Sequence, residues 1–570
     1  MDYDRASDDF ELVESGEVAK LMVAVEKPDI KKIKTWLKPT DYLASSSEFK
    51  RHASSKALDT GEWIRKTPQF DQWHASGSHG SIWIKAVPGA GKSVLAASMV
   101  DSLSRKESVP VLFFFFRQII ESNRTCRALL RDWLCQLIHD SEIIQIALWK
   151  HVQEQESLED VSTPQLWHYL LTALRDLPRV YCIVDALDEM NTDEEFLSQL
   201  NSLGSLRPAN VKILMTSRPK QYLQKALKDP RVIHVSLEEE LVKRDISIFV
   251  QQRAKEFGNA GLDGEMQRFI KDTVCERSQG LFLYARLMLD QIAQSLSDAS
   301  HEDQSLREMV AKLPVGLEEM YNCMLRDYVE LTEIHQEVQI LILELVTQAA
   351  RPLRLIEIAK AIETNPYISK DNRDSKEIVR SACGPLLEIM EDEVVQILHH
   401  SFTEFLFDNG RKDRGGPTTP QFPIIDPETA HRNIASTCLA QLQGGALDAY
   451  QIKRFSSFTE EYEIGHNRYF NMRAAFLQYP LLEYAVTKWA YHAKQYSIND
   501  HEFFQKLENF CEPQNPSFAA WFVYLARIDE PFSAEMQSSI TALHVAADHG
   551  LASVSTELLL QIFLILLSQA

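Results

Sequence analysis

The sequence predicts an α/β fold in which a parallel sheet is covered by helices on both faces, with helix-rich units following it. Three observations predict it. Short β-branched and aromatic runs alternate with stretches of helical spacing between residues 81 and 235. A Pro/Gly loop breaks the first of these alternations, with an apolar run before it and a helix start after it. Beyond Leu237 the strand signals fade and helical periodicity takes over.

The elements follow in order. Residues 1–30 read as an acidic, disordered leader. Residues 31–78 read as a helical segment in which Asp59-Thr60-Gly61-Glu62-Trp63 turns into a helix carrying Phe70 and Trp73. The predicted sheet-bearing core spans 79–236. Its strands are 81–86, 109–116, 180–185, 211–216 and 232–235, with helices over 93–100, 124–139, 163–177 and 196–203. Residues 237–330 read as a helical subdomain. In 331–410, three helices precede two short strands around the acidic turn Glu391-Asp392-Glu393, which suggests a winged helix. Residues 411–537 read as a linker, marked by Gly415-Gly416-Pro417, and an α-helical region; residues 538–570 form the last segment.

At 570 residues the chain exceeds one core, and a formal net charge of −21 argues against a general binder of nucleic acid or anionic membrane. None of the eight cysteines forms a Cys-x-x-Cys pair, so they read as buried, reduced thiols of a reducing compartment. The first residues lack a signal peptide's basic start and apolar stretch. The longest apolar run, 558–567, is too short to span a bilayer. These features predict a soluble, cytoplasmic protein with no membrane span.

The loop Ala86-Val87-Pro88-Gly89-Ala90-Gly91-Lys92-Ser93 follows the G-x-x-x-x-G-K-[ST] pattern, with Ala86 at the first glycine. Such a loop turns backbone N–H groups onto phosphates, and the following helix adds its positive end. Lys92 would pair with the β- and γ-phosphates, and the Ser93 hydroxyl would ligate Mg²⁺. The Cβ of Ala86 is expected to restrict the backbone there and weaken binding. Asp185 ends an apolar strand and is the expected Mg²⁺ partner. In Asp185-Ala186-Leu187-Asp188-Glu189, either Asp188 or Glu189 would orient or deprotonate the attacking water, with Glu189 preferred. Arg218, in Thr216-Ser217-Arg218-Pro219, could reach the γ-phosphate.

Together these motifs resemble the NACHT family of signal-transduction ATPases with numerous domains, and its fungal branch in particular. The likeness continues in Gly280-Leu281-Phe282-Leu283-Tyr284-Ala285, in Leu313-Pro314-Val315-Gly316-Leu317 with Tyr321, in residues 398–406, and in Pro480-Leu481-Leu482-Glu483-Tyr484-Ala485. Residues 541–550 resemble the opening of an ankyrin repeat. The resemblance implies an α/β P-loop NTPase, a helical subdomain, a winged-helix domain, an α-helical region and a partial ankyrin repeat. It implies that His399 contacts the β-phosphate of a bound diphosphate. It also implies a slow, Mg²⁺-dependent switch using ATP or GTP, homo-oligomeric when active, with protein partners at the helical and ankyrin regions. Family members often carry an effector module ahead of the NTPase core, and the leader is too short to fold into one. A catalytically weak nucleotide-binding scaffold is the main alternative, since Ala86 and the single repeat favour it. A metabolic phosphotransferase is a weaker one, because no substrate-binding insertion stands out.

Overall fold

The computed structural model describes residues 27–521 apart from position 46 and residues 118–122, 207–209, 238, 259–261, 298–302, 369–372, 412–420, 445–476, 497–500, 511–514, 516 and 519–520. The acidic leader, much of the 411–537 region and the ankyrin-like segment therefore lie wholly or partly outside the described residues. The chain divides into two compact units, residues 1–241 and 242–570.

The first unit is built on a five-stranded sheet. Three helices precede it: α1 (Ile30–Leu37), α2 (Glu48–Ser54) and α3 (Pro68–Ala75). Then come β1 (Ser81–Lys85), α4 (Lys92–Lys106), β2 (Val111–Phe115), α5 (Cys126–Leu137), α6 (Glu142–Gln153), α7 (Thr163–Asp176), β3 (Arg179–Asp185), α8 (Glu194–Leu203), β4 (Asn210–Ser217), α9 (Gln221–Ala226) and β5 (Val232–Ser236). All five predicted strands are present. Helix α6, whose apolar residues are less regularly spaced, is an addition to the reading of the sequence. Side-chain oxygens start many of the helices: Asp29, Ser47, Thr67, Thr125, Ser141, Ser162 and Asp193 each accept a backbone N–H of the first turn.

The strands lie in the order β2-β3-β4-β1-β5, all parallel. Successive side chains of a strand point to opposite faces, and the apolar runs fill both. Trp83, Leu112, Phe114, Val180, Cys182, Val184, Ile213 and Met215 join one core, with α5 and α7. Ile82, Ile84, Phe115, Tyr181, Ile183, Leu214, Ile233 and Val235 join the other, with α3 and α4. Val180, Ile183 and Val184 of β3, which lies between β2 and β4, are 0% exposed; each such burial stabilises by about 1.5–3 kcal/mol. At the start of β1 the chain passes against the loop after α8 so closely that a Cβ on Gly80 would sit 1.9 Å from the carbonyl oxygen of Gly204.

The second unit begins with helices α10 (Glu239–Gly258), α11 (Gly264–Arg277), α12 (Phe282–Ser297), α13 (Asp303–Ala311) and α14 (Gly316–Thr332). Helices α15 (Gln336–Gln348), α16 (Leu355–Ile362) and α17 (Ser375–Ala382) lead into the antiparallel pair β6 (Leu387–Ile389) and β7 (Val395–Ile397), as the sequence predicts. Leu355 N–H donates to Glu393 and Val395 N–H to Leu353, so the segment before α16 adds a third edge to the hairpin. Helix α18 (His400–Phe407) follows, then α19 (Pro427–Gln443), α20 (Leu482–Lys494) and α21 (His501–Phe510). Among the described residues no helix is long and apolar enough to cross a membrane.

Candidate nucleotide-binding site

The loop between β1 and α4 takes its shape from two glycines. Gly89 and Gly91 have φ of 75° and 88°, the left-handed region that a Cβ disfavours. Gly91 caps α4, whose first two residues are Lys92 and Ser93. The Lys92 ammonium lies back across the loop and donates to the carbonyls of Ala86 at 3.1 Å and Val87 at 2.9 Å. Burial pulls its pKa down, and Asp188 and Asp185 hold it up. Ala86 behaves differently from the expectation. Its φ is not in the left-handed region, and its N–H donates to Ser217 at 3.3 Å, extending the β1·β4 ladder by one residue. The backbone at this position does not call for glycine.

Asp185 ends β3 and is 2% exposed. Burial raises its pKa, against His52, hydrogen bonds from Ser93 and Thr216, and Lys92. The Thr216 hydroxyl donates to the Asp185 carboxylate and accepts the N–H of Ala186 at 3.2 Å. The order β3-β4-β1 thus seats Asp185 beside Thr216 and, across the loop, beside Ser93. A hydroxyl paired with a buried carboxylate suits a hard divalent cation that takes its remaining ligands from phosphates and water. Among the described residues no cluster of three or more His, Cys, Asp or Glu could hold a metal by itself.

Ala186 has φ 53°, which swings the chain out of β3 into a short turn, Leu187–Glu189. The two acids there are placed differently. Asp188 accepts from Arg218 twice, from the backbone N–H at 2.9 Å and from Nε at 2.5 Å, with its side chain 3% exposed. Glu189 is half-buried, and its N–H donates to Ala186 at 2.8 Å. Of the sequence-predicted residues, the loop, Asp185, Asp188, Glu189 and Arg218 therefore converge on one end of the sheet. His399 belongs to the second unit, where it caps α18.

The sequence reading passed over a group from α2. Glu48 pairs with Arg117, just beyond β2, at 2.6 Å, with Arg51 at 2.9 Å and with His52 at 3.4 Å. These partners hold its carboxyl well below the usual range despite burial. His52 stacks on Phe115, whose register partner is Asp185. No local spacing signals this group, because only the strand order brings α2 to Asp185.

A family model described as Nephrocystin 3, N-terminal, matches residues 59–218, the span from the turn before α3 to Arg218. The first unit has the α/β fold of a P-loop NTPase, a parallel sheet with the glycine loop between β1 and α4. A second model, the winged helix domain of GPI inositol-deacylase, matches residues 329–414. The Vegetative incompatibility protein HET-E-1 of Podospora anserina is 28% identical over 361 residues, covering 60% of this chain and 26% of that protein. The chain thus spans about a quarter of that relative's length. Among solved structures, Cdc6p from Pyrobaculum aerophilum is 15% identical over 69% of this chain and 97% of that one, with a TM-score of 0.30. The Walker-type ATPase PABY2304 of Pyrococcus abyssi is 12% identical over 62% and 97%, also with a TM-score of 0.30. Likenesses at this score carry no weight for fold or function.

Proposed function

We propose that the chain is a nucleotide-dependent conformational switch, using ATP/ADP or GTP/GDP, that slowly hydrolyses the triphosphate and self-assembles for signalling of the kind HET-E-1's name suggests, vegetative incompatibility. The observation that carries the reading is the pairing of Ser93 with the buried Asp185 beside the Lys92 loop. Ser93 and Asp185 would hold Mg²⁺, which supplies charge neutralisation at the phosphates. Lys92 would leave the Ala86 and Val87 carbonyls for the β- and γ-phosphates. Glu189 would orient the attacking water, and Asp188 would keep Arg218 aimed at the terminal phosphate. His399 would contact the β-phosphate of the diphosphate and so favour the resting state. A ligand moves such a switch only by its differential affinity for the two states. Residues 541–550, the ankyrin-like segment, would serve protein partners.

The ordinary backbone at Ala86 weakens one of the two grounds for a catalytically weak nucleotide-binding scaffold. The test is to purify the chain, identify any co-purified nucleotide and measure Mg²⁺-dependent turnover beside Lys92→Ala. Retained diphosphate with slow turnover, abolished in Lys92→Ala, is the expected result. Equal turnover in both proteins, or no nucleotide bound at millimolar concentration, would sink the proposal.

A further inference from the structure

The alternation of side chains along two neighbouring strands decides which hydroxyl reaches Asp185. Ile183 of β3 and Leu214 of β4 are register partners on the α4 face of the sheet. Asp185 and Thr216 lie two residues further along each strand, so their side chains emerge side by side on that same face. Ser217 points to the other face, where its hydroxyl accepts from Trp83 Nε1 at 2.8 Å and donates to the Arg218 carbonyl at 2.9 Å. Thr216 is 0% exposed, and its hydroxyl bridges two groups. The backbone N–H of Ala186 can only donate, so the Thr216 oxygen accepts there, at 3.2 Å, and its own proton goes to Asp185 Oδ1. Ala186, with φ 53°, is the residue at which the chain leaves β3 for the turn carrying Asp188 and Glu189. One hydroxyl therefore touches both the carboxylate and the start of that turn.

We propose that Thr216 is a positioning residue for the divalent cation: its hydroxyl fixes the rotation at which the Asp185 carboxylate meets the cation, and it holds Ala186 so that the turn carrying Glu189 stays in step with that carboxylate. The proposal rests on the reading of Ser93 and Asp185 as the Mg²⁺ pair given above. The Ser93 hydroxyl also donates to Asp185. In that reading, however, Ser93 is itself a metal ligand, so its direction answers to the cation. Thr216 sits within β4, and its branched side chain is stiff at χ1. It is the donor that keeps its place before and after the cation arrives. Without it, the terminal torsion of Asp185 falls back on a broad, two-fold preference, and the cation has to immobilise the carboxylate as it binds.

The test titrates the full chain with Mg²⁺ at a fixed, sub-saturating concentration of a ribose-labelled, non-hydrolysable ATP analogue, and separately the GTP analogue, and reads the bound fraction. Binding in EDTA gives the metal-free level. Thr216→Val is expected to raise the Mg²⁺ half-point about three- to tenfold, the worth of one well-placed hydrogen bond, and to leave metal-free binding at the wild-type level, which a merely structural role would not produce. Thr216→Ser, which keeps the hydroxyl, is expected to have the wild-type half-point. Asp185→Asn is expected to lose the response to Mg²⁺, and Thr216→Val added to it should change nothing further. Thermal midpoints identify a variant that has lost its fold, and Thr216→Ala then takes the place of Thr216→Val. A wild-type Mg²⁺ response from Asp185→Asn overturns the Mg²⁺ pair, and the role of Thr216 with it. A lost response in Asp185→Asn with a wild-type half-point in Thr216→Val overturns the role of Thr216 alone. So does equal weakening of Thr216→Val with and without Mg²⁺, or a half-point in Thr216→Ser as high as in Thr216→Val.

Discussion

Ala86 shows how a motif departure is judged at the scale of one residue. The motif's first glycine matters only where the backbone turns left-handed or a phosphate approaches closely. Here φ at 86 is ordinary and the strand simply continues, while Gly89 and Gly91 carry the left-handed turns. Ala86→Gly is therefore expected to leave Mg²⁺–nucleotide affinity within about threefold. Gly91→Ala, at φ 88°, should lose about tenfold, since left-handed backbone costs a residue with a Cβ about 1–2 kcal/mol. Isothermal titration of both variants checks this, and a larger loss from Ala86→Gly than from Gly91→Ala would refute the backbone argument. Asp188 and Glu189 illustrate the opposite case. Adjacent acids after a strand look equivalent in sequence, and only the position of Arg218, on the neighbouring strand end, separates them.

At the scale of elements, the strands and most helices were legible because their signals are local. The apolar runs of β1 to β5 alternate faces, and N-cap oxygens precede many of the first unit's helices. Helix α6 and the α2 cluster of Glu48, His52 and Arg117 were not legible, since nothing in their own spacing marks them. Element packing also explains a glycine that no motif contains. Gly80→Ala would drive a Cβ into the backbone of Gly204, which cannot rotate away. A loss of about 2–3 kcal/mol is expected, as for overpacking in a tight core. Gly77→Ala, with nothing within 4 Å of its Cβ, is expected to stay within about 0.5 kcal/mol. Urea midpoints of the two variants settle the matter, and equal stability would contradict the close approach at Gly80.

At the scale of the whole molecule, the second unit carries buried titratable groups that make its stability depend on pH. His492 is 0% exposed, 2.7 Å from His431 through Nδ1 and 2.7 Å from the Tyr484 hydroxyl through Nε2. Burial lowers it from 6.5 to about 3, and lowers His431 as well. The unfolded chain binds protons these histidines refuse, so stability falls as pH drops from 6.5 toward 3. Glu344, beside Asn433, is raised by burial from 4.5 to about 7. It stays protonated in the fold, so its contribution is full below 4.5 and is lost as pH rises through about 7. The two slopes oppose each other between 4.5 and 6.5. With two histidines set against one carboxyl, the thermal midpoint should rise only gently with pH there and fall more steeply at lower pH. Glu344→Gln should uncover a continuous rise over that window, worth up to about 1.4 kcal/mol per pH unit for each histidine. A variant profile that overlays the wild type would overturn this assignment.

The sequence by itself determined the strand–loop–helix of residues 81–100, the glycines at its left-handed positions, the strand end at Asp185 and, to within one residue, that of the next strand, read at Thr216 and found at Ser217. These depend on neighbours within a few residues, where backbone conformation and apolar periodicity are set. Only the tertiary structure decided that β4 lies between β1 and β3, which puts Thr216 on Asp185, Arg218 on Asp188 and α2 beside them. It also decided that Tyr321 of α14 meets Ser401 of α18. Contacts across such separations form only when distant surfaces are buried together. The chain therefore spells out the loop that would hold phosphate, whereas the pairings that would tune it come from packing.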